Sequence, residues 1–178
     1  MSCKNKIIVK NDNFPDGDIG VDETVKLIKK LAIRDSTSKE IRFITDKIKF
    51  ASKNNYDKVK LAFDYVVKNV NYKFDPEDVE YVVSPRCLIK DVPYGDCDCM
   101  SCLLCSMLIA LSVSCWVKVI AHKLPQGYDY YPFSHIYVLA DIGGDKIIPL
   151  DPVMKEAGFF NELGNTKKIH RDKIYKIY

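Results

Sequence analysis

Residues 94–104, with the sequence YGDCDCMSCLL, indicate a tight turn that runs directly into a buried helix. Gly95 permits a sharp backbone bend, and the Asp96 side chain can cap the free N–H groups of the following turn. Residues 100–111 are mostly apolar or small, which is typical of a helix in the centre of a domain. Cys97 then lies in the first turn of this helix, where the helix dipole and the unpaired amides favour a thiolate over a thiol. This position suits a nucleophile.

The composition is that of a globular protein. The chain has 178 residues, of which 47% are hydrophobic and 29% are charged, so residues 1–178 are expected to form one domain. A formal net charge of +3, without a basic stripe interleaved with aromatic residues, argues against a nucleic-acid partner. The apolar run at residues 7–9 is shorter than that of a signal peptide, and no stretch of the sequence is long enough to span a membrane. We therefore expect no membrane partner and no export by a secretory signal.

The cysteines favour a reducing compartment such as the cytoplasm. Their number, 7, is odd, and four of them are crowded together, whereas a disulfide framework would distribute them through loops. These four, Cys97, Cys99, Cys102 and Cys105, also form a run that is an alternative pattern for a zinc or iron–sulfur site. A helix, however, would spread the last three along a leucine-rich face, and buried cysteine acting as a small apolar residue is the more common explanation. We therefore expect no metal.

Three helices are predicted before the central one. Apolar side chains recur at helical spacing from Asp22, again after a cap at residues 36–38, and again from Asp57. Residues 71–93 lose this periodicity and contain three prolines, with an extended piece at residues 79–83. A long connection without regular structure is more often functional than idle, so this one is expected to line one side of a cleft.

Strand-like alternation replaces the helical period after the central helix. Strands are predicted at residues 116–121, 134–142 and 146–150, and Gly143-Gly144 is a hairpin signal between the last two. A short strand or arm is also expected at residues 7–9, and another short strand at residues 169–177.

The hairpin gives a geometric prediction. Antiparallel strands pair residues at equal distances from the turn, so His135 is expected opposite Asp151, within about one residue of register. Asp151 would then fix the tautomer of His135. His135 would take the proton of Cys97 if the central helix packs its N-terminus against that end of the sheet, which gives a nucleophile, a base and an orienting carboxylate. Each residue alone is more typical of a structural role, and their joint occurrence is what favours a thiol catalyst.

Three motifs resemble those of the transglutaminase-like superfamily. They are Gly95-Asp96-Cys97-Asp98 at the start of an apolar helix, Ser134-His135-Ile136-Tyr137-Val138, and Ile148-Pro149-Leu150-Asp151-Pro152. The segment from Ala62 through Asn71-Tyr72 to Ser84-Pro85 is similar to the lead-in that this family places before its cysteine, so the likeness covers residues 59–153. The chain looks most similar to small stand-alone members, including ones encoded by tailed bacteriophages, rather than to large calcium-dependent cross-linking enzymes.

The resemblance implies an α+β, papain-like fold in which N-terminal helices and a central cysteine-bearing helix pack on an antiparallel sheet. Residues 1–55 would form the N-terminal arm and helices, and residues 56–178 the catalytic core. The resemblance also implies a Cys97–His135–Asp151 triad and acyl transfer through a thioester, without a cofactor. The reaction would be hydrolysis of a peptide or isopeptide bond in a protein or peptide substrate, or transfer of a glutaminyl group to an amine.

Two details depart from the family pattern or stay open. Many relatives carry two acidic residues after the cysteine, whereas here Asp98 is followed by Cys99, which keeps Cys99 as a rival nucleophile. The backbone N–H of Cys97 is a natural donor to an oxyanion, and the second donor could come from Tyr94 or from the preceding loop.

A non-enzymatic alternative is a phage virion protein that keeps the fold as a structural or interaction module. Its partners would be other virion proteins, and its location the virion rather than the cytoplasm of the host cell. The loop with Tyr128 and Tyr131 suits a partner surface as well as a substrate cleft, because tyrosine offers rigid amphipathic contact area. His122 and His170 are interpreted as structural or surface residues.

Overall fold

The order of helices and strands follows the periodicity of the sequence. The computed structural model describes residues 7–10, 17–76, 79–124, 126–127, 129–157 and 168–178. Its helices are α1 Gly17–Asp35, α2 Lys39–Ala51, α3 Asn55–Asn69, α4 Pro85–Lys90 and α5 Cys97–Ala110. Its strands are β1 Ile7–Lys10, β2 Asn71–Tyr72, β3 Val79–Val82, β4 Tyr94–Gly95, β5 Cys115–Ala121, β6 His135–Asp141, β7 Ile147–Leu150 and β8 Arg171–Lys176. A 3₁₀ helix, Pro152–Ala157, follows β7.

The three predicted N-terminal helices are confirmed, although α1 begins at Gly17, five residues before the predicted start at Asp22. Side-chain caps define the starts of α2 and α3. The Ser38 side chain accepts a hydrogen bond from the N–H of Ile41 at 3.4 Å, which places the start of α2 within the predicted serine-rich cap. The Asn54 side chain accepts from the N–H of Asp57 at 2.9 Å and caps α3 in the same way. Each cap satisfies an amide that the helix itself leaves unpaired.

Helix α5 is the centre of the hydrophobic core, as its composition predicts. Every side chain from Asp98 to Leu108 is buried. The helix packs against α1, α3 and α4 and against strand β6. A helix enclosed in this way has almost no freedom to shift, so the position of its first turn is fixed by the core.

The main sheet has four antiparallel strands in the order β7-β6-β5-β8. The strands predicted near residues 116–121, 134–142, 146–150 and 169–177 correspond to its members. The predicted N-terminal strand is β1, which pairs with β3 in a separate antiparallel ribbon. A third, parallel pair joins β2 to β4 and places Tyr72 opposite Gly95.

The turn between β6 and β7 differs from the predicted two-residue turn. Gly143, Gly144 and Asp145 all have positive φ, and the loop closes with the pair Asp141–Ile147. In this register Val138 pairs with Leu150, so Asp151 comes one step further on, opposite Tyr137 rather than His135. Asp151 is therefore displaced by two residues from the predicted pairing with His135, and the inclusion of Asp145 in the loop accounts for one of them.

The prediction of an irregular connection at residues 71–93 is also wrong. This segment contains β2, β3 and the six-residue helix α4. Helix α4 begins with Pro85 at a position where the missing N–H of proline costs nothing, and it buries Cys87 and Leu88. The extended piece predicted at residues 79–83 corresponds to β3.

The first helix is tied to the last strand by charged side chains. Arg171 Nη2 donates to both carboxylate oxygens of Asp18, at 2.8 and 2.7 Å, and the Tyr175 hydroxyl donates to Asp22. Burial alone would raise the pKa of Asp18, but the hydrogen bonds from Arg171 and Lys173 outweigh it and lower that pKa.

In the described part of the chain, no helix combines the length and the apolar character that crossing a membrane requires.

Candidate active site

The first turn of α5 presents Cys97 at the edge of the core. Asp96 is the N-cap, and its Oδ1 accepts hydrogen bonds from the N–H groups of Asp98 and Cys99, both at 3.2 Å, as the sequence predicts. Cys97 is half-buried, and its thiol donates to Asp98 Oδ1 at 3.6 Å. Cys97 is therefore the only one of the described cysteines that is not fully buried.

Gly95 is required for close packing rather than for a bend. A Cβ at this position would lie 2.4 Å from Cys99 Cβ and 3.0 Å from Cys99 Sγ. The backbone of β4 can approach the first turn of α5 only because residue 95 has no side chain. This approach holds the Cys97 turn against the pair formed by β2 and β4.

His135, the first residue of β6, and Asp151, which directly follows β7, form a buried pair. His135 Nε2 lies 2.8 Å from Asp151 Oδ2, and the two side chains are 7% and 0% exposed. The second oxygen of Asp151, Oδ1, accepts from the N–H of Val153 at 3.2 Å at the start of the 3₁₀ helix. Both carboxylate oxygens are thus engaged, and the imidazole is held through Nε2.

A side-chain hydrogen bond shows how helix α5 packs against strand β6. The Ser101 hydroxyl donates to the carbonyl of Ile136 at 3.4 Å, and both residues are buried. Ser101 lies one turn after Cys97 on the same face of α5, and Ile136 directly follows His135 in β6. The N-terminal end of α5 therefore packs beside the beginning of β6.

His122, interpreted from the sequence as a structural or surface residue, lies next to this pair. Its ring is edge-on to that of His135, with centroids 6.5 Å apart, and its Nδ1 is 3.1 Å from the Ser134 hydroxyl. The register of β5 and β6 accounts for this position, because Ile120 pairs with His135 and His122 follows Ile120 by two residues.

Tyr72 is a neighbour of Cys97 that was not among the residues predicted for the site. It pairs with Gly95, two residues before the cysteine. Burial is the main effect that raises the pKa of Tyr72, and the electrostatic influence of the nearby Cys97, Asp96 and Asp98 raises it further. The Tyr72 hydroxyl therefore stays protonated. Its position in the family-like lead-in was a signal, but the two-residue pairing of β2 with β4 has no local sequence signature.

The three tyrosines named as cleft candidates are placed differently. Tyr94 is exposed in β4, and the Lys73 ammonium lies 4.7 Å from its ring centroid. Tyr131 stacks on His170 with centroids 3.7 Å apart, so His170 has a packing role. Tyr128 lies outside the described residues.

The remaining cysteines of α5 are buried and turn toward different partners. The Cys99 thiol donates to the Tyr81 carbonyl at 3.0 Å, and the Cys102 thiol to the Ile28 carbonyl at 3.6 Å. Cys105 is hydrogen-bonded to Cys115. Burial raises the pKa of Cys99 well above its usual value, and with no exposed surface Cys99 is not placed to act as a rival nucleophile.

One group of three acidic or thiol side chains does converge within the described part of the chain. Ligand atoms of Asp96, Cys97 and Asp98 lie within 4.8 Å of one another. Asp96 Oδ1 is already engaged by two amides of the helix cap. The four-cysteine metal pattern of the sequence is not assembled, because Cys99, Cys102 and Cys105 each contact a separate element.

Comparisons with known proteins identify a fold. No protein-family model matches the chain, and no curated protein matches its sequence. A solved structure described as a "putative protease" from Parabacteroides distasonis is similar with a TM-score of 0.52 and 21% identity, over 84% of this chain and 28% of that one. A "putative cysteine protease" from Cytophaga hutchinsonii aligns over 94% of this chain and 57% of that one, at 18% identity and a TM-score of 0.43.

This chain thus spans less than two thirds of either structure. At these identities the similarity concerns architecture. Helices packed on an antiparallel sheet around a central helix that begins with a cysteine give the chain an α+β fold of the papain-like kind, as the resemblance of its motifs implies.

Proposed function

We propose that this protein is a cysteine-dependent acyl-transfer enzyme of the transglutaminase-like type that hydrolyses amide bonds in a protein or peptide substrate. Cys97 is the nucleophile, His135 the general base and acid, and Asp151 the residue that orients His135. The observation that carries the proposal is the buried 2.8 Å contact between His135 and Asp151, at the beginning of the strand that packs beside the Cys97 end of α5.

The chemistry follows the geometry of this pair. Because Asp151 holds Nε2, His135 exchanges protons through its other ring nitrogen, Nδ1. Nδ1 takes the proton of Cys97 as the sulfur attacks the carbonyl carbon, and it then delivers this proton to the departing amine. The product of this first half is a thioester on Cys97. Water, activated by His135, then attacks the thioester, which releases the carboxylic acid and restores the thiol.

Two donors are proposed for the oxyanion of the tetrahedral intermediates. The backbone N–H of Cys97 belongs to the first turn of α5, where amides lack partners within the helix. The second is the Tyr72 hydroxyl, which remains protonated and lies near the cysteine. Tyr72 replaces Tyr94 in this role, because the Tyr94 ring packs below the Lys73 ammonium.

Burial explains why Cys97 would be selected among the thiols. It is half-buried, whereas Cys87, Cys99, Cys102, Cys105 and Cys115 are buried. Burial raises the pKa of Cys99 and Cys102 well above the usual value and disfavours their reactive thiolate forms. A reagent in solution should therefore distinguish Cys97 from these five buried thiols.

The test is the pH dependence of alkylation by iodoacetamide, mapped to individual cysteines by mass spectrometry. We expect Cys97 to react at pH 7 at least about ten times faster than any of these five buried thiols, and His135→Ala to abolish this advantage. His170→Ala is the matched control, because this imidazole stacks on the ring of Tyr131, with centroids 3.7 Å apart. Equal rates in the wild type and His135→Ala would contradict the proposal and favour the non-catalytic virion protein.

The reaction itself is tested with generic acceptors and donors. Release of fluorescent peptides from labelled casein measures hydrolysis, and incorporation of a fluorescent primary amine into casein measures transfer. We expect both signals to depend on Cys97 and hydrolysis to exceed incorporation. Amine incorporation in excess of hydrolysis would replace the hydrolase by a transferase.

A further inference from the structure

A groove separate from the candidate active site lies among α2, α3 and the end of α4. Its volume is about 890 Å³, within the range of natural binding pockets. Its lining contains none of the residues assigned above to catalysis. It is formed where α2 and α3, joined by a short loop, lie side by side and the last turn of α4 closes one end.

The floor of the groove is apolar. Six side chains form it: Phe43, Ile44 and Ile48 from α2, Leu61 and Tyr65 from α3, and Ile89 from α4. Phe43 is 66% exposed, although an aromatic ring of this size is normally buried. A concave apolar surface that keeps a phenylalanine in water is typical of an interaction site.

The rim of the groove is basic. Lys39, Lys47, Lys68 and Lys90 line it, and the Lys47 ammonium lies 3.9 Å from the Phe43 ring centroid. Within the described residues, none of these four lysines has an ion pair with a carboxylate. Of the two acidic residues in the lining, Asp64 is paired with Lys60 at 2.6 Å, which leaves Glu40 to oppose four positive charges.

We propose that this groove binds an acidic amphipathic α-helix of a partner protein. The α2 wall from Lys39 to Ile48 is about 14 Å long at the usual helical rise, which matches two to three turns of a bound helix. Apolar side chains spaced three and four residues apart on the partner would cover the floor, in the helix-in-groove mode. Aspartate and glutamate residues beside them would meet the lysines of the rim.

Charge and shape favour an acidic helix over a second copy of the chain and over a membrane as the occupant of the groove. A second copy of the chain would bring its own lysine-rich α2 and α3 surfaces against the rim, where like charges repel. A flat membrane surface would not reach the side chains deep in a concave lining such as Ile48, which is 7% exposed, whereas a single helix can enter the groove. The proposal does not depend on the reactivity of Cys97, so the groove and the active site can be tested separately.

The probe is a synthetic helical peptide of about 18 residues with leucines at positions i, i+3, i+4 and i+7 and glutamate at most other positions. A second peptide carries lysine in place of every glutamate. Binding is followed by fluorescence anisotropy with the full chain, at low and high salt. We expect the glutamate peptide to bind at least about tenfold more tightly than the lysine peptide, and its affinity to fall as salt screens the rim.

Matched variants on α2 locate the binding site. Phe43→Ser and Lys47→Glu should each weaken the glutamate peptide at least about fivefold. Phe50→Ser and Lys49→Glu, on the same helix but outside the groove, should leave the affinity unchanged. All four side chains are exposed, so the substitutions should leave the core intact. Circular dichroism verifies that each variant keeps the wild-type fold.

Three results would overturn the proposal. The first is equal binding of the two peptides, or equal effects of the groove variants and their controls. The second is a dimer in sedimentation experiments that Phe43→Ser dissociates, which would make the groove a self-association surface. The third is co-sedimentation with vesicles of phosphatidylserine and phosphatidylcholine that Phe43→Ser abolishes, which would make it a lipid contact.

Discussion

His135 Nε2 and Asp151 Oδ2 lie 2.8 Å apart at a point where Asp151 has no exposed side-chain surface. A carboxylate removed from water in this way must be compensated by its partners, which include the imidazole of His135 and the N–H of Val153. The pair therefore has a structural and a chemical consequence, and substitutions at Asp151 can separate them.

We expect Asp151→Asn to keep the fold but to lose reactivity. The amide retains an oxygen that can accept from Val153 N–H, so the free energy of unfolding should fall by only about 1–2 kcal/mol. The negative charge that stabilises a protonated His135 is lost, and Cys97 alkylation at pH 7 should slow at least about tenfold. Urea denaturation and iodoacetamide kinetics measure the two effects.

Asp151→Ala provides the contrast. It removes both acceptors and leaves the His135 ring buried beside a cavity, so the loss of stability should reach about 3–5 kcal/mol. Unchanged alkylation of Cys97 in Asp151→Asn would show that the carboxylate has a structural role alone.

The Asp96 cap should determine the stability of the first turn of α5. Asp96→Ala removes the acceptor of two backbone N–H groups, those of Asp98 and Cys99, and we expect a loss of about 1–2 kcal/mol in urea denaturation. Asp96→Ser keeps a short side-chain oxygen in the cap and should restore most of this loss. Equal stabilities of the alanine and serine variants would mean that the cap is not what holds this turn.

Gly95→Ala should destabilise the protein through a steric clash. The new Cβ would lie 2.4 Å from Cys99 Cβ, which belongs to the rigid first turn of a buried helix, so we expect a loss of about 2–3 kcal/mol. Gly127→Ala is the comparison, because Gly127 has a φ of 87° but no atom within 4 Å of a new Cβ. Gly127→Ala should lower the free energy of unfolding by only about 1–2 kcal/mol, because it strains the backbone. A larger effect at Gly127 than at Gly95 would refute the packing argument.

Local signals in the sequence predicted the helices and the cysteine turn well. The Ser38 cap and the apolar run of α5 operate within one or two turns, so they are readable without tertiary information. Helix α4 was missed because six residues are too few to display a helical period, and because Pro85 suggests a break although it also suits a helix start.

Pairings over long distances in the chain were harder to predict. The register of the β6–β7 hairpin depends on Asp145 adopting a positive φ, which two preceding glycines do not reveal. Tyr72 reaches the cysteine only through the pairing of β2 with β4, which are separated by more than twenty residues. Motif resemblance identified the residues of the candidate site, whereas their diagonal contact across the hairpin could be read only from the structure.

The buried thiols of α5 should make the protein lose stability in alkaline solution. Burial raises the pKa of Cys99 and Cys102 well above the usual value of 9.0, and the hydrogen bond with Cys115, followed by burial, raises that of Cys105. Above about pH 9 these thiols ionise in the unfolded chain but stay protonated in the folded one, so unfolding releases protons and stability falls as pH rises. Below pH 9 both states are protonated and this contribution is fully present.

Each such thiol should contribute a slope of up to about 1.4 kcal/mol per pH unit above pH 9. Cys102→Ala tests this prediction, because Cys102 is completely buried and its thiol donates only weakly to the Ile28 carbonyl, at 3.6 Å. The variant should be less stable than the wild type at pH 8, since a buried atom is removed, yet its stability should fall less steeply between pH 9 and about pH 10.5. Urea denaturation over this range measures both curves, and parallel curves would mean that the Cys102 thiol ionises equally in the folded and unfolded chains.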